Sequence, residues 1–256
     1  MLFRSYEAGR RLGGQVTIAA TAPHRNDIGA ITEWLAEEVE RVGVHVHLNT
    51  MVTPDEVAEL QPQHVIVATG GSPRTDGFQL STPIHPVPGH DLPHVYTSWD
   101  VFGFGGRADL KGPVVVYDDT GTFEAISVAD VALEHGLDVV MVARQDAIGA
   151  TLPYPPATVA AAKERLYSGA FDFVGGHHLI SIEPGQVTVG VPFTERSRTI
   201  AANTVVLVTY NHPNRELADY LREEDGPWAV HLVGDVNGTN GILQAVHSAA
   251  AVARSI

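Results

Sequence analysis

The sequence predicts an α/β protein with mostly parallel strands, and three observations carry that expectation. Apolar runs of five or six residues alternate with amphipathic segments, the pattern of strands buried on both faces between helices. The stretch PVVVYDDTGTFEAISVADVALEHGLDVVMVAR, residues 113–144, contains a strand, a turn, a helix, a glycine stop and a second strand in succession. Glycines also follow the predicted helices where a chain reversal is needed.

Each element can be justified in order. LFRSYE at 2–7 has the form of a strand end. From Asp27, residues Ile28, Ile31, Leu35, Val39 and Val42 recur at helical spacing, with Gly43 as the stop. VHVHL at 44–48 is the next strand. In TPDEVAELQP at 53–62, Thr53 is placed as an N-cap and Pro54 at the first helical position. HVIVAT at 64–69 reads as a buried strand, followed by a loop rich in Gly, Pro and His. The pattern restarts at Lys111 with the strand–helix–strand unit, and a helix is expected over 156–169. FDFVGG, HHLISIE, QVTVGV and SRTIAA follow as short strands, and TVVLVT at 204–209 is again a buried one. RELADYLREE is a helix, WAVHLVGD at 228–235 a strand ending in a Gly-Asp turn, and ILQAVHSAAAVARSI a final helix. Trp34, Trp99 and Trp228 are expected in a core or a domain interface.

Composition excludes several functions. The 256 residues suffice for one large or two small domains, each with its own core. Lys+Arg is 16 against Asp+Glu 30, a net charge of −14, which argues against nucleic acid or an anionic membrane as partner. Any phosphate would have to be met by backbone amides. The chain has no cysteine, so disulfides, thiolate-held zinc, a Cys-ligated iron–sulfur cluster and a thiol nucleophile are excluded within it, and redox chemistry requires a bound cofactor. The apolar runs are strand-sized and the start, MLFRSYEAGRR, has no uninterrupted apolar core, so a soluble, cytoplasmic chain is expected. Among 13 histidines, His45 and His47 share a strand face without a recognisable third ligand, and no metal site is expected. The hydrolase elbow, the zinc-protease motif and the P-loop are all missing, and no catalytic residue is identified.

Four pieces stand out together: EAGRRLGGQ at 7–15, VIVATGGSP at 65–73, the Tyr117–Glu124 turn, and HLVGDVNGTNGILQAVHSAAAVA at 231–253. With TPDEV and VTYNHPNRELADYL between them, they make the chain resemble the C-terminal nucleotide-binding region of a family of iron–sulfur flavoproteins. That family includes trimethylamine, dimethylamine and histamine dehydrogenases and 2,4-dienoyl-CoA reductase. The resemblance runs along nearly the whole chain and implies two interleaved Rossmann-like domains of the FAD/NAD(P)-binding type. Residues 1–106 with 203–256 would form an FAD- or ADP-binding domain, and 107–202 an inserted NAD(P)-type domain.

The resemblance also supplies a binding set. Glu7 would accept hydrogen bonds from an adenosine ribose, its alternative being an ordinary exposed strand-end acid. Gly13 and Gly14 suit positive φ and close backbone approach, and Gln15 closes the same motif. Thr69 and Gly70 end a buried strand, where open α/β sheets hold their ligands. Asp235, after Gly234, resembles the family's contact to the ribityl–phosphate part of a flavin dinucleotide, with a helix from about Gly241 aimed at that place.

Two departures qualify this expectation. The family's first strand and its glycine-rich turn would precede Glu7, so the first domain is expected to lack them and to expose bare strand edges beside an apolar slot. The barrel carrying flavin mononucleotide and the iron–sulfur cluster is likewise absent from the sequence. In the second domain Asp118 and Asp119 stand where a dinucleotide turn wants glycine, and their charges would repel a pyrophosphate, which argues against NAD(P)H. The expected function is therefore a nucleotide-binding (FAD or ADP) subunit or fragment of a flavoprotein oxidoreductase. A larger flavoprotein subunit would supply the missing strand and the barrel. The alternatives are a self-contained NAD(P)H-dependent flavin reductase and a non-catalytic scaffold that keeps the fold.

Overall fold

The computed structural model describes residues 3–103, 108–224, 226–238 and 241–256, so the sequence-derived boundary at 106/107 and Leu2 of the first expected strand lie outside the described residues. In chain order the elements are β1 (Arg4–Tyr6), α1 (Gln15–Ala19), α2 (Ala30–Arg41), β2 (His45–His47), α3 (Pro54–Leu60), β3 (His64–Val67), β4 (Gly71–Ser72), β5 (Val95–Thr97), α4 (Ser98–Val101), β6 (Val114–Asp118), α5 (Phe123–Glu134) and β7 (Val139–Ala143). They continue as α6 (Pro155–Thr158), α7 (Ala160–Ser168), β8 (Phe171–Val174), β9 (His178–Glu183), β10 (Gly185–Gly190), β11 (Ser197–Ala202), β12 (Thr204–Val208), β13 (His212–Pro213), α8 (Glu216–Glu223), β14 (Ala229–Leu232) and α9 (Gly241–Ala253).

The chain divides into two interleaved units: residues 1–20, 26–72 and 211–256 form unit 1, and residues 21–25 with 73–210 form unit 2. This partition differs from the one drawn from the sequence. β5 and β12 hydrogen-bond into the sheet of β6, β7 and β8, and that pairing draws the preceding loop and residues 203–210 into unit 2.

Unit 2 has three layers. Its central sheet has five strands in the order β5-β12-β6-β7-β8, all parallel, with α5 as the crossover from β6 to β7. Alternation along β6 sends Val114 and Val116 into the core beneath α5 and α7, with Ile126, Ala129, Met141 and Leu166. Val115 and Tyr117 point the other way, against Leu179, Ile182, Val187 and Val189 of the antiparallel sheet β11-β10-β9. Gln79 is fully buried in this unit because its amide donates to the Leu179 carbonyl at 2.7 Å and accepts from the Leu179 N–H at 3.1 Å, so neither end is left unpaired.

Unit 1 is assembled differently. β1 pairs with β2 and β3 with β14, both parallel, and a two-residue antiparallel ladder joins β4 to β13. Among the described residues the β1-β2 and β3-β14 pairs share no ladder, so the sheet of this unit is in separate two-stranded pieces. Its small core holds Val67, Ala218 and Val236, with Val65, Val230 and Leu232 against them. The helix expected from Asp27 begins as a short 3-10 turn, and α2 proper starts at Ala30. Trp34 on α2 is 58% exposed rather than in a core, because α2 has no buried residue at all.

Candidate functional site

Five of the sequence-selected residues of unit 1 follow the C-terminal ends of β1, β3 and β14, and three lie at the start of α1. Glu7 directly follows β1; its N–H donates to the His47 carbonyl at 2.9 Å, and its carboxylate accepts the Gly9 N–H at 2.6 Å. The side chain is thereby held over the strand end by its own following turn. Gly13 (φ 117) and Gly14 (φ 47) both take positive φ. A Cβ on Gly13 would meet methyl groups of Thr17 and Thr32 at 2.9 Å, whereas one on Gly14 would meet nothing within 4 Å. Gly13 is thus fixed by packing, while Gly14, the N-cap of α1, leaves open space at the helix start.

Gln15 is the residue that ties the site together. Its Nε2 donates to Asp235 Oδ2 at 3.1 Å and lies 3.5 Å from the Gly71 carbonyl, and its Oε1 accepts from Asn211 Nδ2 at 3.2 Å. Residues from the beginning, middle and end of the sequence are so joined through one amide. Thr69 donates from Oγ1 to the Asn214 carbonyl at 2.6 Å, and Asn214 returns a bond to the Thr69 carbonyl at 3.1 Å. Gly70 (φ 72) turns the chain away from the strand end, and the Gly234 N–H donates to Ser248 Oγ at 2.9 Å. A cleft of about 310 Å³ is lined here by Gly234, Asp235, Gly238, Gln244, His247 and Ser248.

Of the eight residues selected from the sequence, Glu7, Thr69, Gly70, Gly234 and Asp235 follow strand ends and Gly13, Gly14 and Gln15 lead into α1; Gln15, Gly70 and Asp235 are brought into one cluster with Gly71. Asn211, Asn214, Gln244 and Ser248 were not foreseen. The asparagines belong to the NHPN stretch, whose polar run between an apolar strand and a helix was the available signal. Among the described residues no group of three or more His, Cys, Asp or Glu is placed to hold a metal. Nor is any helix of the described residues long and apolar enough to cross a membrane.

Unit 2 offers a second strand-end turn, between β6 and α5. Asp118 is wholly buried there, and its Oδ1 accepts the N–H groups of Thr120 at 3.0 Å and Gly121 at 2.7 Å. Asp119, also without exposed surface, accepts from Arg144 Nε at 2.8 Å and from the Leu80 N–H at 2.7 Å. Burial pushes the Asp118 carboxyl up to about 6 against the lowering effect of those hydrogen bonds. Asp119 is raised as well, its burial outweighing the Leu80 amide and the Arg144 guanidinium.

No protein-family profile matches the chain. An N,N-dimethylglycine/sarcosine dehydrogenase of Chromohalobacter salexigens is 32% identical to it over 141 residues, which are 54% of this chain and 19% of that protein. An NADH oxidase of Thermoanaerobacter brockii is 28% identical over 253 residues, 98% of this chain and 37% of the other. Among solved structures, the 6-hydroxypseudooxynicotine amine oxidase of Pseudomonas geniculata superposes with a TM-score of 0.85 at 28% identity, over 96% of this chain and 37% of that one. In each case the aligned region is well under half of the relative's own length.

Proposed function

Taking as premise that the chain is a relative of the C-terminal nucleotide-binding region of the trimethylamine dehydrogenase, histamine dehydrogenase and 2,4-dienoyl-CoA reductase family of iron–sulfur flavoproteins, we propose that it is the FAD- or ADP-binding part of a flavoprotein oxidoreductase. Substrate oxidation then takes place at a flavin-bearing barrel outside this sequence. The observation that carries the proposal is the Gln15 cluster. A residue after the glycine pair, the turn after β3 and the Gly-Asp turn after β14 meet where an α/β sheet binds its nucleotide.

The residues fit two ends of such a nucleotide. Glu7 offers a carboxylate to ribose hydroxyls, and the open Gly14 lets backbone approach a phosphate or flavin edge. Asp235, oriented by Gln15, accepts from the ribityl or ribose hydroxyls at the other end. A bound flavin would supply reversible electron acceptance there. The amide cradle for the pyrophosphate, in this reading, belongs to a strand–turn segment from a larger flavoprotein polypeptide that seats between the β1-β2 and β3-β14 pieces. Support for that comes from the apolar side chains left exposed around those pieces, including Leu35 at 41%, Ile66 at 43% and Leu243 at 58%. A second reading, an NAD(P)H-dependent flavin reductase, is favoured by the NADH oxidase match and opposed by the carboxylates of the β6–α5 turn.

The test is native mass spectrometry of the chain purified from its own host, with an absorption spectrum of the same sample. The expected result is a bound mass of FAD or ADP, with a larger flavoprotein chain co-purifying. Asp235→Ala and Gln15→Ala are each expected to weaken nucleotide binding about tenfold, the loss of one charge-assisted hydrogen bond or of its positioning partner. A bare, colourless chain that takes up neither nucleotide at millimolar concentration overturns the proposal in favour of a scaffold. NADPH oxidation with an artificial acceptor favours the reductase.

A further inference from the structure

We infer that the β6–α5 turn of unit 2 is a dinucleotide-phosphate cradle filled by the chain's own Asp118, and that Asp119 holds Arg144 away from ligand, so that removing both carboxylates creates an NADPH site. The inference concerns unit 2 and does not depend on the nucleotide proposed for unit 1.

The geometry is that of an occupied anion site whose anion is internal. β6, α5 and β7 form a parallel βαβ unit at the middle of a five-stranded sheet, the arrangement in which a pyrophosphate lies on backbone amides between the first strand and the helix. Those amides are already engaged. Thr120 and Gly121 direct their N–H groups at Asp118 Oδ1, and the Thr120 hydroxyl joins them at 3.1 Å. In the first turn of the helix the Glu124 N–H goes to the N-cap side chain of Thr122. One carboxylate oxygen thus collects the donors that a phosphate oxygen would collect. The other oxygen, Oδ2, is buried with no hydrogen-bond partner, a costly arrangement unless the first oxygen is strongly held.

Arg144 completes the picture. It stands one residue beyond β7, the strand end that in this arrangement faces the adenosine ribose, where an arginine accommodates a 2′-phosphate. Here its Nε binds Asp119 Oδ1 at 2.8 Å, and its terminal nitrogen binds the Asp119 carbonyl at 3.2 Å. Gln145 reaches the same carbonyl at 3.2 Å. A pyrophosphate approaching the turn would meet two buried carboxylates, with the Thr120 and Gly121 amides already engaged, while the cation suited to the 2′-phosphate is neutralised.

Amide-resolved NMR of the full chain, titrated with NADPH, NADH and adenosine 2′,5′-bisphosphate, tests this at the site itself. In the wild type, 2 mM NADPH (an amount set by ~1 mM as the weak end of specific binding) is expected to leave the Thr120 and Gly121 amides unmoved, whatever it does in unit 1. In Asp118→Ala/Asp119→Ala, both amides are expected to shift, with at least about tenfold tighter NADPH binding. Adding Arg144→Ala is expected to weaken NADPH and spare NADH. Should the double alanine variant not fold, Asp118→Asn/Asp119→Ala keeps an acceptor for the amides and frees Arg144, and adenosine 2′,5′-bisphosphate is expected to bind at Arg144. The inference is overturned if NADPH shifts the Thr120 and Gly121 amides in the wild type, or if the folded variants leave this turn as unresponsive as before.

Discussion

The two units use similar amino acids to opposite effect. In unit 2 every residue of β6 and β12 is buried, and α5 buries seven of its residues between sheet and neighbouring helix. In unit 1 the parallel strands come in pairs, and α2 and α9 bury none of theirs. α9 (GILQAVHSAAAVA) is no less apolar than α5 (FEAISVADVALE). The difference lies in what surrounds each helix. A parallel strand needs cover on both faces and a neighbour on both edges, and within the described residues only β12, β6 and β7 of unit 2 have both neighbours. Two-stranded pieces cannot hold a helix face on their own.

Truncating equivalent leucines should display this contrast at its largest. Leu166→Ala in α7, wholly buried in unit 2, is expected to cost about 2–5 kcal/mol, since it removes the transfer energy and leaves a cavity. Leu243→Ala in α9, 58% exposed, is expected to stay within about 0.5 kcal/mol. Urea denaturation followed by circular dichroism measures both. Equal costs would mean that α9 is covered in solution by something that seats on unit 1, and repeating Leu243→Ala in the presence of the proposed larger flavoprotein chain would then identify the cover.

The second contrast concerns charge, because unit 2 encloses an acid where unit 1 leaves its own half-exposed. Asp118 titrates at about 6 in the folded chain against 3.8 as its ordinary value, so the folded state holds the proton more tightly between those values. The stability contributed by protonated Asp118 is therefore fully present below about pH 4 and lost as pH rises through 6. Relative to Asp118→Asn, the wild type should lose about 3 kcal/mol across that window, the free-energy equivalent of the shift. Chemical denaturation of both proteins at pH 5 and pH 7.5 samples the upper part of that window and should show roughly half of the loss. A difference between the two that does not change with pH would show that Asp118 ionises without penalty, contrary to its burial.

The same contrast separates what the sequence disclosed from what it did not. The β6–α5–β7 run was legible because strand period, cap, helix period and glycine stop agree within 113–144, and each is a local property. Glu7, Gly13, Gly14, Gln15, Thr69, Gly70, Gly234 and Asp235 were picked out one motif at a time, and the Gln15 amide that joins three of those motifs could not be read from any one of them. The β4–β13 ladder could not be read at all. Its two-residue strands have no periodicity, and the Ser72–Asn214 bond of 2.7 Å that secures it links residues 142 apart. β5 and α4 were hidden for a related reason, each being shorter than the window that reveals a period. The units divide the chain at other residues than 106 and 203 because strand partners are chosen by the sheet, and β5 joins β12 from the far side of the insertion.

The smallest expected effect asks whether the difference between the units is local or tertiary. Both contain a reciprocal cap: Thr53 with Glu56 at the start of α3 in unit 1, and Thr97 with Asp100 at the start of α4 in unit 2. The bonds match closely, with the threonine N–H donating to the acid at 2.7 and 2.8 Å, and the acid's N–H to the threonine hydroxyl at 3.4 Å in both. If stability were set by local geometry, Thr53→Ala and Thr97→Ala would cost the same. Thr97 is buried and Thr53 is exposed, so water replaces the lost bond less readily at Thr97. Thr53→Ala is therefore expected near about 0.5 kcal/mol and Thr97→Ala near about 2 kcal/mol, the two ends of the range for N-caps. Parallel denaturation of the two variants decides it. Identical losses would return the contrast to local sequence, while the expected inequality assigns it to the enclosure that the five-stranded sheet gives unit 2.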